Sequence, residues 1–106
     1  MKKSSSTRPV RLSTFQVRVM LSEELASVNV NEILAGEFMS KSDVHYCAEK
    51  EAIDTVTNRI EAGIGYEFTY LIYKVSKERD ENDEPKEFTL VSKVYADENT
   101  DQVVID

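Results

Sequence analysis

The pattern of apolar residues predicts an α+β domain: a small, mostly antiparallel sheet of three or four strands with two or three helices on one face. Apolar and polar residues alternate over residues 10–21, 66–77 and 87–96, which is the period of a half-buried strand. Residues 44–62 follow the helical period instead. The predicted order is therefore β-α-α-β-β, with residues 103–105 as an optional last strand.

Two short helices are expected between the first strand and residue 40. Ser22 is a residue type that caps helix N-termini, and the acidic Glu23 and Glu24 suit the positive end of a helix dipole. A second helix is predicted over residues 30–38, capped by an asparagine, because four apolar residues recur there at helical spacing: Val30, Ile33, Leu34 and Phe38.

The most regular helix pattern spans residues 44–62. A turn at residues 40–43 precedes it, and Gly63 and Gly65 follow it as typical helix terminators. At 100° per residue its apolar side chains share one face, which predicts the side that packs on the sheet: Ala52, Ile53, Val56 and Ile60.

The chain from residue 66 onward predicts a hairpin of two strands joined by the polar loop 78–86. The first of these strands carries apolar side chains on both faces, so helices on one face leave the other to be covered by something else. A small sheet also leaves its edge strands unpaired. Both features predict a homodimer or a complex with another protein.

The length of 106 residues corresponds to one domain, which we place at residues 10–106. Residues 1–9 are rich in Lys and Ser, which predicts a disordered basic arm. The single cysteine excludes a disulfide framework. No apolar run approaches the roughly 20 residues of a membrane span and no signal-peptide pattern opens the chain, so we expect no membrane contact and a cytoplasmic location.

Acidic residues outnumber basic ones by 20 to 13, which gives a formal net charge of −7. Such a surface repels nucleic-acid phosphate and attracts basic proteins. The loop 78–86 is the densest acidic segment, and four of its carboxylates are predicted to contact a partner: Asp80, Glu81, Asp83 and Glu84.

The residue types used in catalysis are scarce. His45 and Cys47 are the only residues of their kinds, and two positions apart on a helix they point in nearly opposite directions. His45 shares a face with Glu49, which predicts a hydrogen-bonded pair, a contact at the rim of the core or a contact with a partner. A metal site is disfavoured because it needs more ligands. No phosphate-binding, zinc-finger or nucleophile-elbow motif occurs. We therefore expect a protein that is not an enzyme and holds no cofactor or metal.

Nucleic acid is disfavoured as a partner, because the aromatic strands adjoin an acidic loop and lack the positive field of a base-stacking surface. Only the basic head of the chain could contact phosphate, through Lys2, Lys3, Arg8 and Arg11.

These features predict a non-enzymatic protein-binding module with a basic partner. Its acidic loop would dock on the basic surface, and aromatic side chains would supply the buried contact. Small acidic chains of this kind include phage-encoded antagonists and immunity-type inhibitors of nucleic-acid-handling proteins, an analogy of size and charge. The aromatic residues predicted to contact the partner are Tyr66, Tyr70, Tyr73 and Tyr95.

Two other functions remain open at this point. One is a small-ligand or nucleotide-binding protein acting as an oligomer, with a pocket between the helix 44–62 and the sheet or at an oligomer interface. The other is a structural subunit of a larger assembly. The predicted lining of the ligand pocket is Arg59, Tyr66, Tyr70 and Tyr73.

Overall fold

A computed structural model describes residues 13–106 of the chain. The predicted basic arm, with its lysines and arginines, and the first residues of the predicted first strand lie outside this range. The described elements, in chain order, are β1 (Ser13–Leu21), α1 (Ser22–Leu25), β2 (Glu37–Ser42), α2 (His45–Glu61), β3 (Phe68–Ser76), β4 (Phe88–Asp97) and β5 (Gln102–Ile105).

The strands form one sheet in the order β2-β1-β3-β4-β5, and every neighbouring pair is antiparallel. The predicted α+β class is confirmed. The sheet has five strands rather than three or four, because β2 was not predicted and the optional last strand, β5, is present. The central strand β3 pairs with β1 along its whole length, from Ser13 opposite Ser76 to Leu21 opposite Phe68.

The prediction of a helix over residues 30–38 followed by a turn over 40–43 is wrong. Residues 26–36 are irregular, and β2 then pairs with the outer side of β1. Of the four apolar residues that suggested a helix, Val30 and Leu34 pack against the core of the sheet. Ile33 and Phe38 are each 53% exposed. The helical spacing here is therefore not one buried stripe, because turns bring only two of the four residues to the sheet.

Helix α2 begins and ends one residue inside the predicted 44–62, and it packs on one face of the sheet. Ala48, Ala52 and Val56 are fully buried against Val17 and Ile72. Small residues on the helix allow its backbone to lie close to the strands, and burial of this apolar surface stabilises the layer. Within residues 13–106, no helix is long and apolar enough to cross a membrane.

The opposite face has its own core, so the helices do not lie on one face as predicted. Helix α1 and residues 26–36 cover β1 and β3 there, around the buried Leu71 and Tyr73. Arg18 fastens this cover, because its Nη1 donates hydrogen bonds to the carbonyls of Leu34 at 3.3 Å and Gly36 at 2.8 Å. Towards β4 and β5 the same face carries an open groove.

Candidate functional site

Two of the four predicted binding tyrosines belong to the core. Tyr70 is 1% exposed and Tyr73 is fully buried, and both hydroxyls are used internally. Arg59 Nε donates a 2.5 Å hydrogen bond to the Tyr70 hydroxyl, and its guanidinium lies 4.6 Å from the centre of the Phe68 ring. Tyr70 and Tyr73 therefore offer no surface to a partner, and Arg59 is partly buried with its guanidinium held by Tyr70 and Phe68. Within residues 13–106, core side chains occupy the place of the predicted ligand pocket between α2 and the sheet.

Tyr66 and Tyr95 instead line an open groove of about 630 Å³ on the face opposite α2. Helix α1 and Tyr66 form one side of the groove. Residues of β4 and of the edge strand β5 line the rest of it. Tyr66 is 40% exposed, so its ring is available to a ligand. The polar and aromatic lining comprises Ser22, Tyr66, Thr69, Lys93, Tyr95, Asp97, Glu98 and Asp106.

A second depression continues the groove around the end of the sheet. It shares Ser22 and Tyr66 with the first and adds Leu21, Glu23 and Glu67. The wall between α1 and β3 is fixed by a 2.8 Å hydrogen bond between the hydroxyls of Ser22 and Thr69. We call the two depressions together the acidic groove.

The charge of the acidic groove is strongly one-sided. Five carboxylates line it, and Lys93 supplies the one ammonium group among its described lining residues. Tyr95 donates a 3.1 Å hydrogen bond to Asp106 Oδ2. This bond to the carboxylate raises the pKa of Tyr95 above its ordinary value, so the hydroxyl keeps its proton and holds Asp106 in place. The five acids are Glu23, Glu67, Asp97, Glu98 and Asp106.

The turn between β4 and β5 sets the position of Asp97 and Glu98. Asp97 Oδ1 accepts a 2.8 Å bond from the amide of Asn99, and its carbonyl accepts bonds from Thr100 and Asp101. Asp101 closes the turn with a φ of 57°. The backbone therefore holds the carboxylate of Asp97 at the rim of the groove instead of leaving it on a mobile side chain.

The predicted acidic loop lies at the other end of the sheet. It follows the last residue of β3, whereas the groove adjoins the first, and nine residues of strand separate them by about 27 Å. The Asp80 carboxylate accepts bonds from the amides of Asn82 and Glu84, so it stabilises the loop itself. Glu81, Asp83 and Glu84 are exposed. The loop and the aromatic residues therefore do not form one site.

The predicted pair of His45 and Glu49 exists and includes a third residue, Ser92 of β4. His45 Nε2 lies 3.4 Å from Glu49 Oε2 and 3.1 Å from Ser92 Oγ, and the Ser92 hydroxyl donates to Glu49 at 2.9 Å. A catalytic relay would pass the serine proton to the histidine and orient the ring through its other nitrogen. Here the serine is 4% exposed and its hydroxyl donates its hydrogen bond to the carboxylate instead of to the histidine. The cluster therefore fastens α2 to β4.

Sequence patterns could find only part of the acidic groove. The alternation in β4 places Lys93 and Tyr95 on one face, but no local pattern reveals that α1 lies beside them. The hydrogen bond from Tyr95 to Asp106 likewise joins two strands. Within residues 13–106 no group of three or more His, Cys, Asp and Glu side chains is arranged to hold a metal ion.

Comparison of the chain with protein-family models, with curated proteins and with solved structures gave no match. The chemistry of the acidic groove indicates what it can bind. Aromatic rings and fixed carboxylates in an open groove suit an extended or flexible cationic group, whose charge meets the acids while its aliphatic part lies on Tyr66 and Tyr95.

Proposed function

We propose that this chain is a non-enzymatic binding module that takes a basic segment of a partner protein into the acidic groove. The observation that carries the proposal is the combination of Tyr66 and Tyr95 with five carboxylates in one open groove. By covering a basic surface, the module would act as an inhibitor or antagonist of a protein that handles nucleic acid, since such surfaces otherwise bind phosphate.

The charge balance of the acidic groove supports a cationic partner. Five carboxylates against Lys93 leave an excess of negative charge at one end of a chain whose net charge is already −7. Removal of a cation from water costs free energy, but an open groove leaves the ions partly hydrated. Charged groups in this position raise the association rate and exclude acidic competitors.

Tyr66 and Tyr95 support a side chain that has both a charge and an aliphatic part. A lysine or arginine lying over a tyrosine ring gains from cation–π attraction and from apolar contact, about 0.5–1 kcal/mol at an exposed site. A small inorganic cation would use the carboxylates alone. The tyrosines therefore favour lysine and arginine side chains over a simple ion.

The acidic loop has a lesser part in this proposal. At about 27 Å it lies several Debye lengths from the groove, since the Debye length is about 8 Å at physiological salt. Its carboxylates can steer a basic partner during approach, but they contribute little to the bound state at the groove. We therefore place Glu81, Asp83 and Glu84 outside the main binding site.

A small-ligand function is the second candidate, because the groove has the volume of an ordinary ligand pocket. The same carboxylates repel nucleotide phosphates, so a small ligand of this groove would be a cation and not a nucleotide. A homodimer and a structural role in an assembly stay predictions.

The proposal is tested by two triple variants that remove the same amount of charge. The groove variant carries Asp97→Asn, Glu98→Gln and Asp106→Asn, and the asparagine introduced at position 97 can still accept the turn hydrogen bond. The loop variant carries the changes Glu81→Gln, Asp83→Asn and Glu84→Gln. Binding of a fluorescent peptide of alternating Lys and Val is measured by anisotropy at physiological ionic strength.

We expect the groove variant to bind about tenfold more weakly than the unmodified chain, because three exposed ion pairs together contribute about 1–2 kcal/mol. The loop variant should stay within about twofold. Equal losses in both variants would mean that net charge alone attracts the peptide, and a larger loss in the loop variant would place the site at the loop. Either result would contradict the proposal.

A further inference from the structure

The acidic groove ends at an open edge of the sheet. Strand β5 is the last strand in the order, and Val104 of this strand lines the groove together with the neighbouring Asp106. A ligand lying in the groove can therefore extend to the backbone of β5 without crossing another element. This continuity raises the question of what the free edge of β5 can bind.

The pairing of β4 and β5 fixes which backbone groups face outward. Lys93 and Asp106 exchange both of their backbone hydrogen bonds. In an antiparallel pair such bonded positions alternate with non-bonded ones, so Val94 with Ile105 and Ala96 with Val103 are the non-bonded pairs. The N–H and C=O groups of Val103 and Ile105 therefore point away from β4. They have no strand beside them within residues 13–106.

The other edge of the sheet is protected in a way that β5 is not. Strand β2 contains a bulge at Met39, where the register with β1 shifts, and it carries Lys41. Bulges and lysines are two of the means by which edge strands avoid further pairing; short length is another, and β5 has only four residues. Strand β5, with the sequence QVVI, has no bulge, no lysine and no proline. Of the two edges, β5 is the one suited to accept a strand.

Side chains of β5 alternate between two surfaces. Val103 packs against the core under α2, and Ile105 shares that face and is 45% exposed. Val104 lies on the groove face, opposite Tyr95 in the register. A strand added beside β5 would present alternate side chains in the same way. One set would lie next to Ile105, and the other would lie at the groove beside Asp106.

Charge decides which strand fits. Basic side chains on the groove face would meet Asp106, Asp97 and Glu98. A second copy of this chain would instead bring a second set of these acids to the same edge, together with Asp101 of the same turn, and like charges repel. The occupant that the edge favours is therefore a basic segment of another protein.

We infer that the chain binds its partner by strand addition: an extended segment with alternating basic and apolar residues pairs with the outer edge of β5 and places its basic side chains in the acidic groove. This inference rests on the proposed function and adds the mode of binding and the partner's sequence pattern. Backbone hydrogen bonds supply affinity in such complexes, and alternate side chains supply specificity.

The test uses two methylated forms of the peptide of alternating Lys and Val. One form is N-methylated at every valine and the other at every lysine, so the two have the same charge and the same number of methyl groups. Strand addition turns only one of these sets of N–H groups towards β5. We expect one methylated peptide to lose at least about tenfold in affinity and the other to bind like the unmodified peptide.

A variant of the protein tests the same backbone hydrogen bonds by removing a donor of β5 instead of donors of the peptide. Ile105→Pro removes an outward N–H that bonds nothing in β4, and proline is tolerated on edge strands. We expect the variant to unfold at the same temperature as the unmodified chain and to lose about two- to tenfold in affinity, less than the sensitive methylated peptide, because it removes one hydrogen bond instead of several. If this variant does not fold, the methylated peptides still decide the question, since they use the unmodified protein.

The outcomes separate the two proposals. If both methylated peptides bind as well as the unmodified one, or lose affinity equally, strand addition is wrong while the acidic groove remains the binding site. If no basic peptide binds at physiological ionic strength, the proposed function and this inference both fail. Self-association of the chain that Ile105→Pro abolishes would identify a second copy as the occupant and would also overturn the inference.

Discussion

Tyr73 joins β3 to the irregular cover of residues 26–36 by side-chain hydrogen bonds. Its hydroxyl accepts a bond from the amide of Ala35 at 3.3 Å and donates towards the carbonyls of Val30 at 2.6 Å and Ile33 at 3.0 Å. The segment has a few turn hydrogen bonds of its own, such as the one from the Ala35 amide to the Ile33 carbonyl, but it has no helical or strand ladder. The tyrosine therefore adds a buried partner where regular backbone pairing is missing.

We predict that Tyr73→Phe destabilises the fold by about 1–3 kcal/mol at neutral pH, because the Val30 carbonyl loses the buried hydroxyl that donates to it. Urea unfolding followed by circular dichroism measures this loss. A change below about 0.5 kcal/mol would mean that water replaces the hydroxyl and that the cover is held by apolar contacts and Arg18.

The stability lost in Tyr73→Phe depends on pH, and the direction of this dependence follows from the pKa of Tyr73. Burial raises the pKa of Tyr73, outweighing the opposite effects of the Ala35 amide and Arg18. The unfolded chain loses this proton near pH 10 and the folded chain at higher pH, so the contribution is complete below about pH 10 and decreases above it. We expect the stability difference between the unmodified chain and Tyr73→Phe to shrink above about pH 10. A difference that grows there would contradict this assignment.

Two hydrogen bonds from serine to a carboxylate differ in burial, so they test how burial affects the contribution of a hydrogen bond to stability. Ser92, which is 4% exposed, donates to Glu49, and Ser40 donates to Glu51 on the exposed side of α2. We predict a loss of about 1–2 kcal/mol for Ser92→Ala and less than about 0.5 kcal/mol for Ser40→Ala. Thermal unfolding of both variants and of the unmodified chain measures the two losses of stability. Equal losses would show that Ser92 does not fasten α2 to β4.

At the scale of elements, the junction between the cover and β2 depends on Gly36. Its φ is +83°, and a side chain there would bring a Cβ to within 2.7 Å of the Val19 carbonyl oxygen. The glycine thus lets the chain pass close to β1 before β2 begins. Gly63, which follows α2, has a similar φ of +81°, but no atom lies within 4 Å of the place that a Cβ would take there.

This difference predicts unequal costs for the same substitution. Gly63→Ala should cost about 1–2 kcal/mol, which is the strain of the left-handed backbone. Gly36→Ala should cost about 3 kcal/mol or more, because a clash with backbone is added to that strain. Denaturant unfolding of the two variants gives the comparison. If both lose the same amount, the close approach at Val19 is relieved by a small shift and does not fix β2.

The elements with a clear period were predicted from the sequence, and those set by tertiary contacts were not. Helix α2 and the strands β3 and β4 repeat apolar residues over ten or so positions, which local spacing reveals. Strand β2 has only six residues, is interrupted by a bulge and buries none of them fully, so it has little alternation to detect. Of the acidic groove, the sequence predicted only the two tyrosines, Tyr66 and Tyr95. It could not distinguish them from Tyr70 and Tyr73, because only the fold shows that the latter two rings are buried.

At the scale of the whole molecule, the acids lie at both ends of the sheet, with different consequences. The loop after β3 is exposed and holds its own turn through Asp80. The groove before β3 combines acids with aromatic rings and an open strand edge. A net charge of −7 gives long-range attraction to any basic protein, and the groove gives a place where one basic segment can be held.

The most direct test is the amide chemical-shift map of the ¹⁵N-labelled chain titrated with the peptide of alternating Lys and Val at physiological ionic strength. We predict that the largest changes in chemical shift occur at the amides of Tyr66, Tyr95, Asp97 and Val104, and that the amide signals of residues 78–86 do not change. The largest shifts at residues 78–86, or small shifts spread over every acidic surface, would show that the acidic groove is not the binding site.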